Sequence, residues 1–345
     1  MELEKLEEIH KTYNLFVDEE SRYIFKNRLM YNLLGELEYI RNVIRTNKTA
    51  MAFLESMLNE KEPVAVWGAG IRAEKFLDFY PEMKIECFID SYRYGQTLRD
   101  IKIIKIEDFV KTCPNTRIVI LPRFSYKEIV RKIIGLGIEE SRILNFAKVM
   151  EQLYEEQYFD LLDKEIDRDG IFVDGGCLDG NDSLKFFRKF SGGGCQLWEP
   201  NQEVIPEIIQ KMKINNIPYE LIQAGMSDRK GKATANYKAN EMSAFSLGDG
   251  IEGNILLDCI DNHAEQKISM IKMDIEGFEH KGLLGAKWAI QQHKPVLAIC
   301  VYHRRDDLWK IPLLIHSICS DYRFYMKHYS LFANETVLYG ICHIN

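Results

Sequence analysis

Apolar and polar residues alternate along most of the chain in a pattern that predicts strands and helices in turn. Residues 62–148 and residues 149–345 each repeat short apolar runs separated by longer amphipathic ones, which is typical of a parallel sheet covered by helices. Before them, residues 1–61 carry apolar side chains at near-helical spacing, such as Leu29 and Leu33. We therefore expect a helical N-terminal arm followed by two α/β domains.

The first α/β segment, residues 62–148, predicts a small Rossmann-like domain. Strands are expected at residues 64–67, 85–90, 118–121 and 142–146, with one helix after the first strand and another over residues 126–134. The turn Gly68-Ala69-Gly70 follows the first strand, and Asp90 ends the second. This spacing fits a loose dinucleotide fingerprint, in which the acid binds a ribose hydroxyl. Because the segment is short and lacks a second half, we favour a structural turn over a nucleotide site.

The second α/β segment, residues 149–345, predicts a longer parallel sheet that ends in an antiparallel hairpin. Parallel strands are expected at residues 171–174, 196–199, 219–223, 268–274 and 296–301, and hairpin strands at 322–328 and 336–342. Helices are expected at residues 183–190, 203–214, 279–292 and 308–318. The segment is long enough to bury a core under helices on both faces of the sheet.

Acidic residues follow three of these strands, at the sheet edge where α/β proteins bind ligands. Residues 170–183 read GIFVDGGCLDGNDS, a glycine-rich turn between a strand and a helix. Glu199, in the run WEPN, ends the next strand, and IKMDIEG at residues 271–277 ends a later one. Phosphate-binding loops favour lysine and free N–H groups over carboxylates. The pattern therefore resembles the α/β fold of class I S-adenosylmethionine (SAM) methyltransferases.

Longer blocks of sequence resemble one family within that class. FVDGGCLDGNDS, WEPN, IKMDIEGFE and VYHRRDDLWKIP follow one another in order, and KHYS and ETVLY extend the similarity over residues 172–339. These blocks are similar to those of the FkbM-type SAM-dependent methyltransferases. The resemblance implies that SAM is the cofactor and that a hydroxyl of a sugar, polysaccharide or secondary metabolite is methylated. One departure is the first turn, DGGCLDG, which differs from the GxGxG form of many class I enzymes.

The resemblance to class I enzymes also implies which residues contact the cofactor. SAM carries a cationic amino group, a ribose diol and an adenine ring, which need acidic, hydrogen-bonding and apolar surroundings respectively. Glu199 is placed to accept hydrogen bonds from the ribose hydroxyls, as an acid does in other doubly wound folds. The expected cofactor-binding residues are Asp174, Gly175, Gly176, Asp179, Gly180, Ser183, Glu199, Pro200, Asn201, Ala224, Ser227, Asp228 and Asp274.

Methylation of a sugar hydroxyl needs a base within hydrogen-bond reach, because the neutral hydroxyl is a poor nucleophile. His303 is our first candidate for this base, and Asp274 with Glu276 is the second. A purely structural His303, bonded to a carboxylate such as Asp274, remains equally open. Ser243, Tyr302 and His303 are the residues expected to contact the acceptor.

A metal ion is a separate question, because some sugar O-methyltransferases hold Mg²⁺ with carboxylates near the fourth strand. Asp274, Glu276 and Glu279 resemble such a set. Glu279, however, is placed to begin a helix, where an acid also complements the helix dipole. We therefore expect transfer without a metal.

Composition narrows the partners and the compartment. The formal net charge is −7, so broad attraction to nucleic acid or to an anionic membrane is not expected. The eight cysteines form no CxxC pair, which favours free thiols in a reducing compartment, and the acidic start MELEK is unlike a signal peptide. We expect a cytoplasmic protein that acts on a small-molecule or glycan acceptor and forms a homodimer through its helical arm.

Two other functions remain open from the sequence. A nucleotide-sugar or dinucleotide-dependent sugar-modifying enzyme would use the turn at Gly68 and Asp90, but no convincing Tyr-x-x-x-Lys pair follows that turn. A non-catalytic protein that binds SAM or a nucleotide is the third reading. The three acids at the strand ends argue against it, since a site without chemistry has no physical need for them.

Overall fold

The computed structural model describes residues 3–161, 166–237, 245–249 and 253–342. The chain divides into two compact units. The larger unit comprises Met1–Gly35, Gln157–His328 and Ala333–Asn345, and the smaller unit comprises Glu36–Glu156 and Tyr329–Phe332.

Two helices open the chain and belong to the larger unit, α1 (Leu3–Leu15) and α2 (Glu19–Leu34). Helix α2 begins after Asp18, whose carboxylate accepts a hydrogen bond from the backbone N–H of Ser21. The hydroxyl oxygen of Ser21 in turn accepts a 2.8 Å hydrogen bond from the backbone N–H of Met326, so α2 packs on the C-terminal hairpin. Within residues 1–61, only those up to Gly35 group with the larger unit.

The smaller unit contains a six-stranded sheet. Its helices are α3 (Leu37–Ile44), α4 (Lys48–Leu58), α5 (Ile71–Phe79), α6 (Ile106–Thr112), α7 (Tyr126–Gly135), a 3-10 turn (Glu140–Arg142) and α8 (Phe146–Glu156). Its strands are β1 (Val64–Trp67), β2 (Ile85–Ile89), β3 (Thr97–Leu98), β4 (Ile101–Ile104), β5 (Arg117–Ile120) and β6 (Ile143–Leu144). The strand order is β3-β4-β2-β1-β5-β6, and all neighbours are parallel except β3 and β4.

The glycine turn of the smaller unit is closed by Asp90. The Asp90 carboxylate accepts hydrogen bonds from the backbone N–H groups of Ala69, Tyr92 and Arg93, at 3.1, 2.8 and 3.1 Å. Burial alone would raise the pKa of Asp90, but these three bonds outweigh it and lower the pKa. This arrangement favours the structural reading of the turn, because its own backbone already supplies the donors that a ribose would offer.

The larger unit continues after α8 with a second, larger α/β sheet. Its strands are β7 (Ile171–Gly175), β8 (Cys195–Trp198), β9 (Tyr219–Ile222), β10 (Gly225–Met226), β11 (Gly231–Tyr237), β12 (Phe245–Asp249), β13 (Ile255–Asp258), β14 (Ile268–Met273), β15 (Val296–Cys300), β16 (Arg323–His328) and β17 (Thr336–Ile341). Its helices are α9 (Asn181–Phe190), α10 (Ile205–Ile214), a 3-10 turn (Ile260–His263), α11 (Glu279–Leu284), α12 (Lys287–His293) and α13 (Asp307–Ile318).

The main sheet has seven strands in the order β16-β17-β15-β14-β7-β8-β9. Strands β7, β8, β9, β14 and β15 run parallel, and β17 pairs antiparallel with both β15 and β16. Strands β7, β14 and β15 are buried along their whole length, as expected for a sheet covered on both faces. The predicted fold, a doubly wound α/β sheet finished by an antiparallel hairpin, is confirmed.

Two features of the larger unit differ from the sequence-based expectation. A separate four-stranded sheet, in the order β10-β13-β11-β12, lies between β9 and β14, where the sequence analysis places no strand. The helix predicted over residues 279–292 is two helices, α11 and α12, which meet at Gly285. A Cβ at Gly285 would lie 1.9 Å from the carbonyl oxygen of Ser227, so only glycine allows this close approach of two backbones. Among the described residues, the helices lack the combination of length and apolar character that crossing a bilayer requires.

Candidate active site

The carboxyl ends of β7, β8, β14 and β15 meet at one edge of the main sheet. Strand β8 lies on one side of β7 and β14 lies on the other, so a topological switch point falls between β7 and β14. Open α/β sheets bind their ligands outside such a point. Asp174, Glu199 and Asp274, the three acids that the sequence places at strand ends, all lie at this edge.

Asp174 is fully buried, and both of its carboxylate oxygens are engaged inside the protein. One oxygen accepts a 2.9 Å hydrogen bond from the ammonium group of Lys272, and the other accepts a 2.7 Å bond from the hydroxyl of Ser183. Lys272 Nζ also lies 3.3 Å from a carboxylate oxygen of Asp182 and donates to the carbonyl oxygen of Gly176. The first turn is therefore held by a buried ammonium between two carboxylates, and sequence reasoning did not identify this lysine.

The charge of Lys272 is stabilised by its surroundings. Burial alone would lower the pKa of its ammonium group, but the charges of Asp174 and Asp182 outweigh burial and raise that pKa well above its ordinary value. Lys272 is thus a permanent cation beneath the turn. Because Lys272 bonds to the carboxylate of Asp174, this carboxylate stabilises the turn through a buried ion pair.

The backbone of the first turn approaches its neighbours closely. Gly176 has a φ of 69°, and a Cβ there would lie 2.1 Å from the carbonyl oxygen of Asp274. Gly180, with a φ of 70°, directly precedes α9, and a Cβ on Gly175 would lie 2.6 Å from Met226 Sδ. Asp179 accepts hydrogen bonds from its neighbour Asn181. These glycines allow the turn a conformation and a proximity that other residues would not reach.

Glu199 is buried at the end of β8, and each of its carboxylate oxygens accepts one backbone hydrogen bond. The donors are the N–H groups of Leu178 at 3.0 Å and of Asn201 at 2.8 Å. Burial raises the pKa of Glu199, and these two bonds only partly offset the effect. A buried carboxylate in this state still has lone pairs for further donors. Pro200 is half-buried beside it, and Asn201 is buried and caps the following turn at Glu203.

The expected adenine edge lies after β9. Ala224 and Ser227 are buried, and Asp228 is exposed. The hydroxyl of Ser227 donates a 3.1 Å hydrogen bond to Asp228, while its backbone N–H donates to Asp258 of the small sheet. The structure therefore places a small apolar side chain and two polar ones at this point of the edge.

Asp274 lies directly after β14 and is held by two phenols. The hydroxyl of Tyr158 donates to one carboxylate oxygen at 3.0 Å, and the hydroxyl of Tyr302 donates to the other at 3.1 Å. Burial and the charge of Asp274 raise the pKa of both phenols well above the ordinary value, so both remain donors. The side chain of Asp274 is 25% exposed and can therefore meet a ligand. Tyr158 comes from a distant part of the sequence and was not among the predicted site residues.

His303 lies among three carboxylates. Its Nδ1 is 2.9 Å from Glu279 Oε1, and its Nε2 is 3.4 Å from Asp274 Oδ1 and 3.7 Å from Glu276 Oε2. Burial alone would lower the pKa of His303, but the hydrogen bond to Glu279 and the surrounding negative charges outweigh burial and raise it to about 10. His303 therefore carries a proton at neutral pH when nothing else neutralises these acids.

Glu276 and Glu279 differ in exposure. The side chain of Glu276 is 36% exposed, and its backbone has a positive φ of 56°, an uncommon conformation for a residue with a Cβ. Glu279 is fully buried at the start of α11, where its Oε1 accepts a 2.9 Å hydrogen bond from the backbone N–H of Ile275. Within the described residues, its second oxygen, Oε2, is buried and has no hydrogen-bond partner.

A further acid, Glu335, lies behind Tyr302 and was not predicted. It accepts hydrogen bonds from the side-chain amides of Gln157 at 2.7 Å and Asn334 at 2.6 Å, and Tyr302 Oη lies 3.5 Å away. Burial, followed by the charge of Asp274, raises the pKa of Glu335 to about 7. Glu335 thus adds a second buried carboxyl group to the acidic surroundings of Asp274.

The structure gathers the predicted catalytic residues into one cluster. Asp274, Glu276, His303 and the predicted acceptor contact Tyr302 lie together beside the first turn. Ser243, the other predicted acceptor contact, lies outside the described residues.

The sheet order and the acidic edge define a class I methyltransferase fold. Residues 174–330 match the family model described as the methyltransferase FkbM domain, and residues 60–144 match one described as C2185-like, N-terminal. Residues 174–330 therefore form an FkbM methyltransferase domain, and the protein is a SAM-dependent methyltransferase. The resemblance expected from the sequence blocks is confirmed for this stretch.

Several solved structures are similar to the chain. Methyltransferase FkbM from Methylobacillus flagellatus KT is 17% identical, with a TM-score of 0.49 over 85% of this chain and 93% of that one. An rRNA methylase from Streptococcus thermophilus is 15% identical, with a TM-score of 0.36 over 54% and 93%. A candidate methyltransferase from Streptococcus mutans, in complex with S-adenosylhomocysteine (SAH), is 14% identical, with a TM-score of 0.36 over 55% and 97%. No curated protein matches the chain.

Proposed function

We propose that this protein transfers the methyl group of SAM to a hydroxyl group of a sugar, a polysaccharide or a secondary metabolite. The observation that carries the proposal is the Asp274 carboxylate. It is oriented by two phenols, partly exposed at the sheet edge, and lies beside Glu276 and His303. A hydroxyl-rich acceptor fits such a cluster, because carboxylates accept hydrogen bonds from several hydroxyl groups at once.

Glu199 is the residue we expect to bind the ribose of SAM. Its buried carboxylate accepts only one backbone hydrogen bond on each oxygen, and its raised pKa indicates that further donors would be favourable. The methionine end would lie along the turn at Gly176 and Gly180, whose lack of a Cβ admits a ligand close to the backbone. Asp174 would then support SAM binding indirectly, by holding the turn in place, because both of its carboxylate oxygens already accept hydrogen bonds from Lys272 and Ser183.

When bound, SAM supplies an electrophilic methyl group on a sulfonium. The acceptor oxygen bonds to the methyl carbon as the carbon–sulfur bond breaks, and the sulfur keeps the bonding electrons. The hydroxyl proton must leave at the same stage. We assign its acceptance to the carboxylates of Asp274 and Glu276, because His303 already carries a proton at neutral pH. His303 would then act as the cation that holds these carboxylates in place.

We also propose that the protein acts in the cytoplasm, on a small-molecule or glycan acceptor, and as a homodimer. All eight cysteines are free thiols, which fits a reducing compartment. The acidic balance of the chain, with a net charge of −7, disfavours nucleic acid and anionic membranes as partners.

Calorimetric titration of the full chain tests the class of ligand. We expect SAH to bind with micromolar affinity, and NAD and a UDP-sugar to give no heat of binding. Incubation with radiolabelled SAM and a panel of sugars and sugar nucleotides should then label a hydroxyl-bearing acceptor. Binding of NAD or the UDP-sugar without SAH would contradict the proposal and assign the function to the smaller unit.

A further inference from the structure

One cluster in the larger unit contains two buried polar atoms that the described protein groups leave unsatisfied. The cluster consists of Asp274, Glu279 and His303, and each offers one ligand atom within 4.8 Å of the other two. We propose that Asp274, Glu279 and His303 bind a divalent transition-metal ion beside the methyl acceptor. This inference rests on the proposed function only for the role of the ion, because the ion site itself follows from the three side chains.

The spacing of the ligand atoms suits an ion. Ligand atoms bound at about 2.1 Å lie roughly 3 to 4 Å apart around a tetrahedral or octahedral centre. His303 Nε2 and Asp274 Oδ1 are 3.4 Å apart, which is within this range and long for a hydrogen bond between charged groups. Glu279 Oε1 lies 2.9 Å from the other ring nitrogen, Nδ1, which is a hydrogen-bond distance, so this contact orients the imidazole and Oε2 is the oxygen that would face an ion.

The unsatisfied atoms are the second and independent observation. In the part of the chain that the structure describes, Glu279 Oε2 and His303 Nε2 have no hydrogen-bond partner, although Nε2 lies within ion-pair distance of Asp274. Glu279 is 0% exposed, and the side chain of His303 is 8% exposed. A buried carboxylate oxygen and a buried ring nitrogen without partners cost free energy. A cation between Asp274, Glu279 and His303 would satisfy both atoms and balance the two carboxylates.

A second histidine of the larger unit shows what a satisfied arrangement looks like. His263 Nε2 lies 3.0 Å from Asp258 Oδ2, a normal hydrogen-bond distance, and the other oxygen of Asp258 accepts from Asn262 and from the backbone N–H of Cys259. Neither His263 nor Asp258 contributes a buried atom without a partner among the described residues. This pair therefore provides a matched control for the cluster.

The ligand set indicates which ions would bind. Carboxylates alone favour Mg²⁺ and Ca²⁺, whereas an imidazole beside carboxylates favours first-row transition ions. Mn²⁺ accepts both kinds of ligand and is directly observable by electron paramagnetic resonance, so it is the probe of choice. Two further buried acids, Asp307 and Glu335, add to the negative surroundings of the cluster.

The ion would have a defined role in the transfer. A metal-bound hydroxyl has a lower pKa than a free one, so the acceptor would lose its proton more readily as the methyl group arrives. With Asp274 and His303 bound to the ion, Glu276 at the rim is the carboxylate left to receive that proton. His303 would then be a metal ligand, which differs from the metal-free chemistry that the sequence favours.

The test is a titration of the metal-stripped full chain with Mn²⁺, in which loss of the free-ion resonance signal measures binding. We expect one Mn²⁺ per chain in the wild type. His303→Ala and Asp274→Asn should weaken binding on the order of tenfold or more, and His263→Ala should bind as the wild type does. Circular dichroism of each variant checks that it is folded, and the wild-type titration stands even if a variant is not.

Two outcomes would overturn the inference. One is a wild type that binds no Mn²⁺, and the other is Mn²⁺ binding that survives intact in folded His303→Ala and Asp274→Asn. The proposed function fails separately, through absence of SAH binding or of methyl transfer. A wild type that binds SAH and methylates equally well with chelator or with Mn²⁺, and binds no Mn²⁺, would keep the function and exclude the ion.

Discussion

The two α/β sheets of this protein contain the same local device at the end of their second strand, yet they use it differently. In the smaller unit, Asp90 accepts three backbone hydrogen bonds and its pKa is lowered. In the larger unit, Glu199 accepts two backbone bonds in a more buried position, and its pKa is raised. An acid that its own loop fully satisfies is a structural tie, whereas an acid left short of donors is ready for a ligand.

The surroundings of the two acids differ in the same sense. Behind the turn of the larger unit lie a buried lysine, Lys272, and the cluster at Asp274, so charges are concentrated at its sheet edge. In the smaller unit, the charged groups beside the turn are arginines that bond to backbone carbonyls, Arg72 to Leu121 and Arg93 to Ala69. The comparison teaches that a glycine turn followed by an acid is insufficient evidence of a ligand-binding site. The number of backbone hydrogen bonds that the acid already accepts is more informative.

The largest effect should come from removing the cation beneath the larger turn. Lys272→Met leaves Asp174 buried beside Asp182 without its ammonium partner, and we expect a loss of about 3–5 kcal/mol in the free energy of unfolding. Chemical denaturation measures this loss. Lys294→Met, which removes an exposed ammonium paired with Asp321, is the control and should cost far less stability than Lys272→Met. Equal stabilities for the two variants would show that the buried charge does not hold the turn.

The next largest effect should distinguish the roles of Glu199 and Asp90. Glu199→Ala should weaken SAH binding by about 2–4 kcal/mol, since two ribose hydroxyl contacts are lost. Asp90→Ala should leave SAH affinity unchanged and lower the thermal stability, because three backbone N–H groups lose their acceptor. Calorimetry and thermal denaturation of both variants provide the readouts. If Asp90→Ala weakens SAH binding as much as Glu199→Ala does, the assignment of a structural role to Asp90 and a ligand-binding role to Glu199 is wrong.

Stability measured against pH tests the difference in charge between the two units, because the larger unit buries His303 among acids and the smaller unit contains no histidine. The folded-state pKa of His303 is raised from 6.5 to about 10, so its stabilising contribution is complete below about pH 6.5 and is lost as the pH rises through 10. With chelator present, wild type should lose about 1–2 kcal/mol more than His303→Gln between pH 7 and pH 10. Parallel stability curves for the two proteins over that range would contradict the assignment of a charged His303.

The smallest effect should come from removing the hydroxyl group of Tyr302, which bonds to Asp274 in the larger unit. Tyr302→Phe removes one of the two hydroxyl donors that orient Asp274, and we expect methyl transfer to slow about tenfold with SAH affinity unchanged. Single-turnover kinetics with an identified acceptor measure the rate. Tyr322→Phe, whose hydroxyl bonds to the carbonyl oxygen of Pro295 within the same unit, is the matched control and should leave the rate unchanged.

Much of the fold follows from the sequence because the strands are continuous apolar runs. The bounds observed for β1, β7, β14 and β15 agree with the predicted runs to within one residue. The acids at the strand ends could be found for the same reason, since a charge that ends an apolar run marks the edge of the sheet. The small sheet of β10–β13 was missed, although Ala233, Ala235 and Tyr237 alternate with polar residues in GKATANY, as in a half-buried strand. Alanine is depleted in strands, so the signal is weaker than that of the Val- and Ile-rich strands.

Contacts between distant residues account for what sequence reasoning missed. Lys272 lies inside a buried strand, where an apolar pattern hides a charge whose partner, Asp174, is 98 residues away. Tyr158 lies near the start of the larger unit's main segment, and Glu335 lies in its last segment. They contact Asp274 and Tyr302, and no spacing in the sequence signals these contacts. His303 was a candidate because of its position in the sequence. Its raised pKa, however, depends mainly on Glu279, and the sequence analysis had explained Glu279 as an acid at the start of a helix.

The contact between Gly176 and Asp274 has a consequence for how this enzyme can evolve. With a hypothetical Cβ only 2.1 Å from the Asp274 carbonyl oxygen, the turn at Gly176 and the loop of Asp274 are in direct backbone contact. A mutation that moves one loop must move the other, so a change in acceptor range that alters this contact would also alter cofactor affinity. New acceptors are therefore easier to gain through residues farther from the contact, such as Tyr302 and Glu276, than through the turn itself.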